Sequence, residues 1–304
     1  MDWVSGRRRF LKIAVGTTTV MGLAPLAFGQ DGDWSATEDA VRKAQARLSE
    51  IEAEIGGRIG VSAVNLDTGF TLTHRGDERF AMCSSFKWLL AALVLKQVDA
   101  GNLFLEQTVY FTRDDMVPHA PVTESVLGLG YLTVAELCEA TVQTSDNPAA
   151  NLLLRLIGGP EGFTEMLRAD GADTTRLDRW EPELNANTPG DPRDTTTPNA
   201  MVSLMGYYLF GAGLSGRSAD LVKEWMTGAT TGLDRLRAGF PDYWISGDKT
   251  GTSSNDQTND VAFAFQPSTP HQPVLISSYL NVSDPMTRDP VHAEIGQLVM
   301  KALA

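Results

Sequence analysis

Residues 84–101 read Ser-Ser-Phe-Lys-Trp-Leu-Leu-Ala-Ala-Leu-Val-Leu-Lys-Gln-Val-Asp-Ala-Gly. This stretch predicts a helix over Ser85–Ala100 that ends at Gly101 and carries apolar residues on almost every side. A helix of this kind belongs in the centre of a core. Near its start, Lys87 follows Ser84 by three residues, and a lysine there is costly to bury unless it is paired or used.

Strand-like segments lie on both sides of this helix in the sequence, and helices lie between and around them. The predicted strands are Arg58–Leu66, Phe70–His74, Tyr243–Lys249, Asp260–Phe265 and Pro273–Asn281. The other predicted helices are 35–55, Val134–Thr144, Pro148–Ile157 and Pro290–Ala304. The fold class is therefore α/β (α+β), with one five-stranded antiparallel sheet flanked by the N- and C-terminal helices. The central helices form an inserted all-helical lobe, roughly residues 84–230.

The N-terminal segment has the features of an export signal. Residues 7–12 read Arg-Arg-Arg-Phe-Leu-Lys, and an apolar stretch follows over 13–28. That stretch is too short and too interrupted for a good membrane span, and small residues precede Gln30. We interpret residues 1–29 as a twin-arginine-type signal peptide and residues 30–304 as the mature domain, periplasmic or secreted. An uncleaved N-terminal anchor is the alternative.

Charge excludes one class of partner. The 304-residue chain has a net charge of −13, and loss of residues 1–29, with four basic residues and one acidic residue, makes it −16. Such an acidic protein repels phosphate backbones, so we expect no nucleic-acid partner. Nor do we expect a membrane partner once the signal is removed, and nothing in the sequence requires more than a monomer.

Three further motifs add chemical groups to Ser84 and Lys87. They are Ser145-Asp146-Asn147, the run 179–185 (Arg-Trp-Glu-Pro-Glu-Leu-Asn) and Lys249-Thr250-Gly251-Thr252. Each has an ordinary explanation by itself, such as a helix cap, a turn or a solvated loop acid. Together the motifs supply a serine nucleophile, two lysines, a second serine and the carboxylate of Glu181. Those groups suffice to acylate a serine and then hydrolyse the acyl-enzyme.

In this order, the motifs resemble those of the class A serine β-lactamases, which carry S-x-x-K, S-D-N and K-T-G. The resemblance covers most of the chain after residue 29. It implies a sandwich of sheet and helices with the active site at the seam. It also implies hydrolysis of the β-lactam amide bond, and hence antibiotic resistance, with a small-molecule β-lactam as substrate.

The resemblance also implies roles for the catalytic residues. Ser84 would be the nucleophile and Lys87 its proton-handling partner, although Glu181 is the other candidate for the acylation base. Ser145 would carry a proton to the leaving nitrogen. Glu181, with Asn185 as second ligand of the water, would activate the water that hydrolyses the acyl-enzyme. Arg179 and Asp194 would form a salt bridge at the neck of the loop from Trp180 to Pro198.

Further residues are implied to bind substrate. Asn147 would hydrogen-bond a substrate amide and Lys87. Lys249, on a predicted inner strand, would bind the substrate carboxylate, and Thr250 and Thr252 would add hydroxyls. Gly251 would let substrate approach the backbone, and the amides of Ser84 and Thr252 would form an oxyanion hole.

Two more positions bear on the substrate range. Arg235 matches a position that some family members use to grip the carboxylate, and with Thr252 it resembles the pattern of broad-spectrum and carbapenem-hydrolysing members. A plain surface arginine is the alternative. His119 falls where the family carries an aromatic gatekeeper, so we interpret it as a ring at the rim that packs on substrate.

Cysteine and histidine patterns complete the prediction. The family disulfides would pair Cys83 and Cys138 with positions occupied here by Ser253 and Ala91, so the resemblance implies two free, buried thiols. None of the four histidines forms a His-x-His or His-Glu-x-x-His pattern, so we expect no metal and no cofactor.

Two other functions remain open at this point. A D,D-peptidase or penicillin-binding protein shares the Ser84, Ser145 and Lys249 motifs but lacks the Glu181 loop. A non-enzymatic β-lactam sensor shares the scaffold but normally has a membrane span. The motifs leave open which β-lactams, penicillins, cephalosporins or carbapenems, are preferred.

Overall fold

The computed structural model describes residues 34–304, so the predicted signal peptide lies outside the described residues. The α-helices of this range are α1 (Ser35–Ile55), α2 (Lys87–Asp99), α3 (Val134–Gln143), α4 (Asn147–Leu156), α5 (Gly159–Ala169), α6 (Pro198–Met205), α7 (Gly216–Thr227) and α8 (Pro285–Leu303). The strands are β1 (Arg58–Asn65), β2 (Thr71–His74), β3 (Phe80–Ala81), β4 (Thr108–Tyr110), β5 (Tyr131–Thr133), β6 (Thr195–Thr196), β7 (Ile245–Thr252), β8 (Gln257–Phe265) and β9 (Val274–Asn281). Within 34–304, no helix is both long enough and apolar enough for a membrane span.

The main sheet has five strands in the order β2-β1-β9-β8-β7, with every neighbouring pair antiparallel. Strand β9 joins the two halves of the chain, because it pairs with β1 on one side and with β8 on the other. The predicted five-stranded antiparallel sheet is confirmed. Helices α1 and α8 pack together at its back, as the prediction of flanking terminal helices required.

The sheet is covered on both faces. In β8, Val261 and Phe263 pack into the core of the helical lobe, whereas Ala262 and Ala264 pack into the core under α1 and α8. Successive strand residues point to opposite faces, so strands buried on both faces are apolar throughout. This explains the apolar runs at 261–265 in β8 and at 274–276 in β9.

Helix α2 lies in the centre of the lobe, as predicted. Every residue from Lys87 to Leu95 is buried. The α-helix starts two residues later than predicted, because Cys83–Phe86 form a 3₁₀ turn that leads into it. Cys83 has a φ of 46°, a left-handed conformation that is strained for a residue with a side chain. Ser84 therefore lies on a tight turn immediately before the helix.

The prediction that Lys249 lies on an inner strand is wrong, because β7 is an edge strand. It is nevertheless largely buried, since α7 and the 3₁₀ turn Cys83–Phe86 cover it. A Cβ at Gly251 would lie 2.6 Å from the carbonyl oxygen of Met82 and 3.0 Å from the amide nitrogen of Ser85. The glycine thus allows the strand backbone to pack directly on the turn that carries Ser84.

Several elements were not predicted from the sequence. The lobe contains α5, α6 and α7, and two short two-stranded ribbons, β3–β6 and β4–β5. The C-terminal helix starts at Pro285, five residues before the predicted start, because the Asp284 side chain accepts a hydrogen bond from Met286 N and caps it. Pro290 therefore lies inside the helix.

Both cysteines are free and buried, which confirms the prediction. Burial raises the pKa of the Cys83 thiol to about 12, and burial also raises the pKa of Cys138. Both side chains behave as small apolar groups at neutral pH.

Candidate active site

The four motifs come together where the 3₁₀ turn, the loop after α5 and the edge strand β7 meet. Ser84 Oγ donates a hydrogen bond to Glu181 Oε1 over 3.4 Å. The same Glu181 oxygen lies 3.0 Å from Lys87 Nζ, and both of these charged side chains are fully buried. The other oxygen, Oε2, accepts a hydrogen bond of 2.7 Å from Asn185 Nδ2. One carboxylate therefore contacts the serine, the lysine and the asparagine that the sequence singled out.

Lys87 is held by a complete set of acceptors. Besides the Glu181 carboxylate, its Nζ donates to Asn147 Oδ1 and to the Ser145 carbonyl oxygen at 2.7 Å. The predicted contact between Asn147 and Lys87 is confirmed. Burial lowers the pKa of Lys87, and the charge and hydrogen bond of Glu181 oppose that shift. The ammonium is thus easier to deprotonate than a solvated lysine.

Ser145 lies between the two lysines of the site. Its Oγ is 3.4 Å from Lys87 Nζ and 3.1 Å from Lys249 Nζ. The serine has a φ of 62°, so its backbone is in the left-handed region. That geometry lets the hydroxyl reach both ammonium groups at the start of α4.

Asp146 fixes this turn. It caps α4 by accepting a hydrogen bond from Ala149 N at 2.9 Å, and it also accepts hydrogen bonds from the amides of Val122 and Thr123 at 2.9 Å each. The carboxylate therefore joins the loop 117–125 to the helix that follows Ser145, and it points away from the reacting groups.

Lys249 is fully buried on β7 and donates to Ser145 Oγ and to the Thr250 carbonyl oxygen at 2.9 Å. Burial and the nearby charge of Lys87 together lower the pKa of Lys249 to about 7. A lysine has three N–H donors, so Lys249 retains one donor for an incoming anion.

Arg235 is not a plain surface arginine. Only 11% of its side chain is exposed. Its Nη2 donates to Thr252 Oγ1 at 2.9 Å, its Nη1 donates to the Asn259 carbonyl oxygen at 2.8 Å, and its Nε binds Asp289. The guanidinium is thereby fixed beside Thr252 at the end of β7. Thr250 is oriented separately, by a 2.7 Å hydrogen bond between its hydroxyl and that of Thr231.

The loop that carries Glu181 is fixed at its neck by the predicted salt bridge, which is confirmed. Arg179 Nε lies 2.6 Å from Asp194 Oδ2, and the Asp194 side chain is fully buried. Asp194 Oδ1 also accepts hydrogen bonds from the amides of Asp178 and Arg179, at 2.7 and 3.0 Å. The carboxylate therefore orders the backbone on both sides of the neck.

Sequence reasoning missed one residue that positions Glu181. The Asn151 side chain donates to the Glu181 carbonyl oxygen at 2.8 Å and accepts from the Glu181 amide at 3.0 Å. These two hydrogen bonds fix the backbone of the loop at Glu181. Its position four residues after Asn147, on the same face of α4, is the signal that could have identified it.

His119 lies at the rim, with its side chain exposed. Its Nε2 lies 2.9 Å from the Thr144 carbonyl oxygen, and its own carbonyl oxygen accepts a hydrogen bond from Asn147 N. It lines a surface cleft with Ala120, Pro121, Glu124 and Ser125. Among residues 34–304, no three or more His, Cys, Asp or Glu side chains cluster as metal ligands would.

The chain is similar to several known β-lactamases. Residues 43–303 match the Beta-lactamase enzyme family. Beta-lactamase AST-1 of Nocardia asteroides is 40% identical over 269 residues, which cover 88% of this chain and 86% of that protein. Beta-lactamase OXY-2 of Klebsiella oxytoca is 38% identical over 281 residues, or 92% and 94% of the two chains. A solved structure of an ancestral (GNCA) class A β-lactamase superposes with a TM-score of 0.82 at 47% identity, covering 86% of this chain and all of that chain.

The neck of the loop yields a stability prediction. Replacing Asp194 by Ala leaves the Arg179 guanidinium and two backbone amides without their acceptor in a buried site, so we expect a loss of about 3 kcal/mol in the free energy of unfolding. Urea unfolding measures the loss, and limited proteolysis should show faster cleavage within 179–194. Asp191→Ala is the matched control, because Asp191 pairs with the half-exposed Arg193 in the same loop. Equal stability and equal cleavage in the two variants would contradict the role of Asp194.

Proposed function

The chain belongs to the class A β-lactamases and hydrolyses the β-lactam amide bond, an activity that gives resistance to β-lactam antibiotics; from this premise we propose that hydrolysis proceeds through an acyl-enzyme on Ser84. The observation that carries the proposal is the buried contact of one carboxylate oxygen, Glu181 Oε1, with both Ser84 Oγ and Lys87 Nζ. It brings a nucleophile, a base and a cation within hydrogen-bonding distance of one another.

Acylation begins when Ser84 Oγ attacks the β-lactam carbonyl carbon and loses its proton. The Ser84 hydroxyl donates to Glu181, which favours the carboxylate as the first acceptor of that proton. Lys87 is the second candidate, because burial lowers its pKa and makes its neutral form more accessible. Ser84 Oγ and Lys87 Nζ both contact Glu181 Oε1, so a proton that Glu181 takes from Ser84 can pass on to a neutral Lys87 without movement of the backbone.

Cleavage of the C–N bond requires a proton on the leaving nitrogen. Ser145 Oγ lies between two ammonium groups, which stabilise the negative charge that develops on this oxygen as it gives up its proton. The proton lost by Ser145 is replaced from Lys87. Ser145 thus acts as the final donor to the nitrogen, with the lysines on either side.

Deacylation uses Glu181 a second time. Its carboxylate is fixed by Asn185 and by the backbone contacts to Asn151. The Oδ1 atom of Asn185 is buried and has no hydrogen-bond partner within residues 34–304, so it is available to accept a hydrogen bond from water. Glu181 and Asn185 together would orient a water toward the ester carbonyl, and Glu181 would take its proton.

The substrate carboxylate would bind to Lys249, with the hydroxyls of Thr250 and Thr252. Lys249 supplies the charge and a free donor, and Arg235 places a second cation behind Thr252. The amides of Ser84 and Thr252 would form the oxyanion hole, Asn147 would bind the substrate amide, and the His119 ring would pack on substrate at the rim. The fixed contact between Arg235 and Thr252 supports a broad spectrum that includes carbapenems.

The two rival functions differ from this proposal in the lifetime of the acyl-enzyme. A D,D-peptidase or penicillin-binding protein would keep the adduct on Ser84, and so would a non-enzymatic sensor. Glu181 argues for rapid hydrolysis, because a fixed carboxylate beside the esterified serine is the group that activates water. Hydrolysis is therefore the function that the site supports best.

We also propose that residues 1–29 direct export by the twin-arginine route, and that the mature enzyme acts in the periplasm or outside the cell as a monomer. The run of arginines before an apolar stretch supports this proposal. The net negative charge gives no basis for a nucleic-acid partner. Sequencing the N-terminus of the exported protein should give a start near Gln30, whereas a start at Met1 would contradict cleavage.

Removal of the Glu181 carboxylate tests the mechanism. Glu181→Ala should lower kcat for a penicillin by roughly 10²- to 10⁴-fold and leave an acyl adduct on Ser84, because Lys87 can still accept the Ser84 proton whereas no base remains to activate water. Intact-mass spectrometry after mixing detects the adduct. Glu183→Ala is the matched control, since Glu183 is exposed on the same short turn. The mechanism is wrong if Glu181→Ala turns over penicillin at the native rate without an adduct.

A further inference from the structure

We propose that Asp248 and Asp260 form a buried carboxyl pair that shares one proton, and that the single negative charge of this pair holds Lys249 in its charged form. The inference rests on the proposed function in one respect, namely that Lys249 binds the substrate carboxylate. Neither aspartate contacts the reacting groups, so both are positioning residues. The mechanism proposed above uses neither of them.

The strand register brings the two aspartates together. Thr250 of β7 lies directly opposite Asp260 of β8, and Asp248 lies opposite Ala262. Residues 248 and 250 point to the same face of β7, so Asp248 and Asp260 are diagonal neighbours on that face. Lys249 lies between residues 248 and 250 in the sequence and points to the other face, toward Ser145. Both aspartates are completely buried.

The hydrogen bonds of the four carboxyl oxygens indicate that the pair holds a proton. Asp248 Oδ1 accepts from Arg237 Nη1 at 3.2 Å, and Asp260 Oδ2 accepts from the Leu236 amide at 3.0 Å. The remaining oxygens, Asp248 Oδ2 and Asp260 Oδ1, are buried and have no donor within residues 34–304. The strand register makes the two side chains diagonal neighbours on one face, close enough for side chains of this length to meet. Two carboxylates in contact can bond only if one of them is protonated.

Gly232 provides the room for this pair. A Cβ at residue 232 would lie 1.7 Å from Asp248 Oδ2, so any side chain there would displace the carboxyl group. The segment that holds Gly232 continues through Arg235 to the short turn Leu236–Gly239, which packs on α8. The pair is therefore enclosed by β7, β8 and this segment.

The charged groups that face the pair come from each of the surrounding elements. The segment 232–239 contributes Arg235 and Arg237, and β7 contributes Lys249. Helix α8 contributes Asp289, which binds Arg235, and His292. Burial and the charge of Arg235 lower the pKa of His292, so its imidazole ring is neutral. Lys87 acts on Lys249 from the far side.

The balance of these charges favours one proton on the pair. Burial raises the pKa of both Asp248 and Asp260, and the neighbouring carboxyl raises that of Asp260 further. The arginines and Lys249 oppose the shift, which keeps one carboxylate ionised. The pair thus carries one negative charge beneath Lys249, and that charge opposes the lowering of the Lys249 pKa by burial and by Lys87.

Infrared spectroscopy tests the shared proton without reference to β-lactam chemistry. The difference spectrum of wild type minus Asp260→Asn at pH 7 should contain the C=O stretching band of a protonated carboxyl group, assigned by ¹³C-aspartate labelling. The asparagine amide can donate to Asp248 and accept from Leu236 N, so it replaces the protonated aspartate in shape and charge. Absence of the band from wild type, or its persistence in Asp260→Asn, would overturn the shared proton.

The pH profile of penicillin hydrolysis tests the effect on Lys249. Asp260→Asn keeps one negative charge, so the alkaline limb of kcat/KM should stay at the wild-type pH. The double variant Asp248→Asn/Asp260→Asn removes that charge, lowers the pKa of Lys249, and should move the limb down by about one pH unit. At a pH above the limb this corresponds to roughly a tenfold fall in kcat/KM. The control for net charge is Asp220→Asn, on the exposed surface of α7.

If the alkaline limbs of wild type and the double variant coincide, the charge of the pair does not affect the pKa of Lys249, and this part of the proposal is wrong. Near-UV circular dichroism establishes that each variant is folded. Lys249→Met separates this failure from a failure of the proposed function. If Lys249→Met keeps the wild-type KM, Lys249 does not bind the substrate carboxylate and that part of the proposed function is wrong. The infrared band tests the shared proton independently of this result.

Discussion

The site depends on one interaction, the buried ion pair of Lys87 and Glu181. Both side chains are removed from water at a separation of 3.0 Å, and the desolvation of two charges largely offsets their attraction. Such a pair adds little to stability, so its place in the core is better explained by chemistry than by folding. The pair links the first turn of the central helix to the loop over the site. Ser84 and Asn185 then complete the arrangement by contacting the same carboxylate.

The surrounding elements hold Lys87 and Glu181 in position. The apolar helix α2 fixes Lys87, and the neck of the loop, fixed by Arg179 and Asp194, fixes Glu181. Asn151 joins the loop to α4, the helix that follows Ser145. The edge strand β7 brings Lys249 to the other side of Ser145, with Gly251 allowing the close approach to the Ser84 turn. Four separate parts of the chain, namely α2, the loop that carries Glu181, α4 and β7, thus converge on the site.

Much of this arrangement could be predicted from local patterns. The apolar run around Lys87 indicates a core helix, and the terminal strands and helices indicate a sheet with helices behind it. The motif residues meet as expected because each lies at a helix start, in a fixed loop or on a strand facing the cleft. Free cysteines and the salt bridge of Arg179 with Asp194 also followed from the resemblance.

Other features depend on contacts between distant segments, which no local pattern records. The edge position of β7 follows from strand order, which is decided by packing across the whole sheet. Asn151 shares a face of α4 with Asn147, but only its contact with Glu181 shows that it positions the loop. Asp248 and Asp260 read as polar strand residues, and only the register of β7 with β8 places them together. Helices α5 and α7 are amphipathic and α6 is a short, largely buried helix, and none of the three has the continuous apolar run that marks α2.

The central claim is that Ser84 carries the substrate between the two chemical steps. Rapid-quench mass spectrometry of the wild-type protein mixed with a penicillin tests it most directly. Because the β-lactam nitrogen stays attached to the opened ring, the adduct should have the mass of the whole substrate. The account predicts that this adduct forms on the peptide containing Ser84 and decays to free enzyme as hydrolysed penicillin accumulates. Hydrolysed penicillin that accumulates with no adduct on Ser84, or an adduct that never decays, would contradict the account.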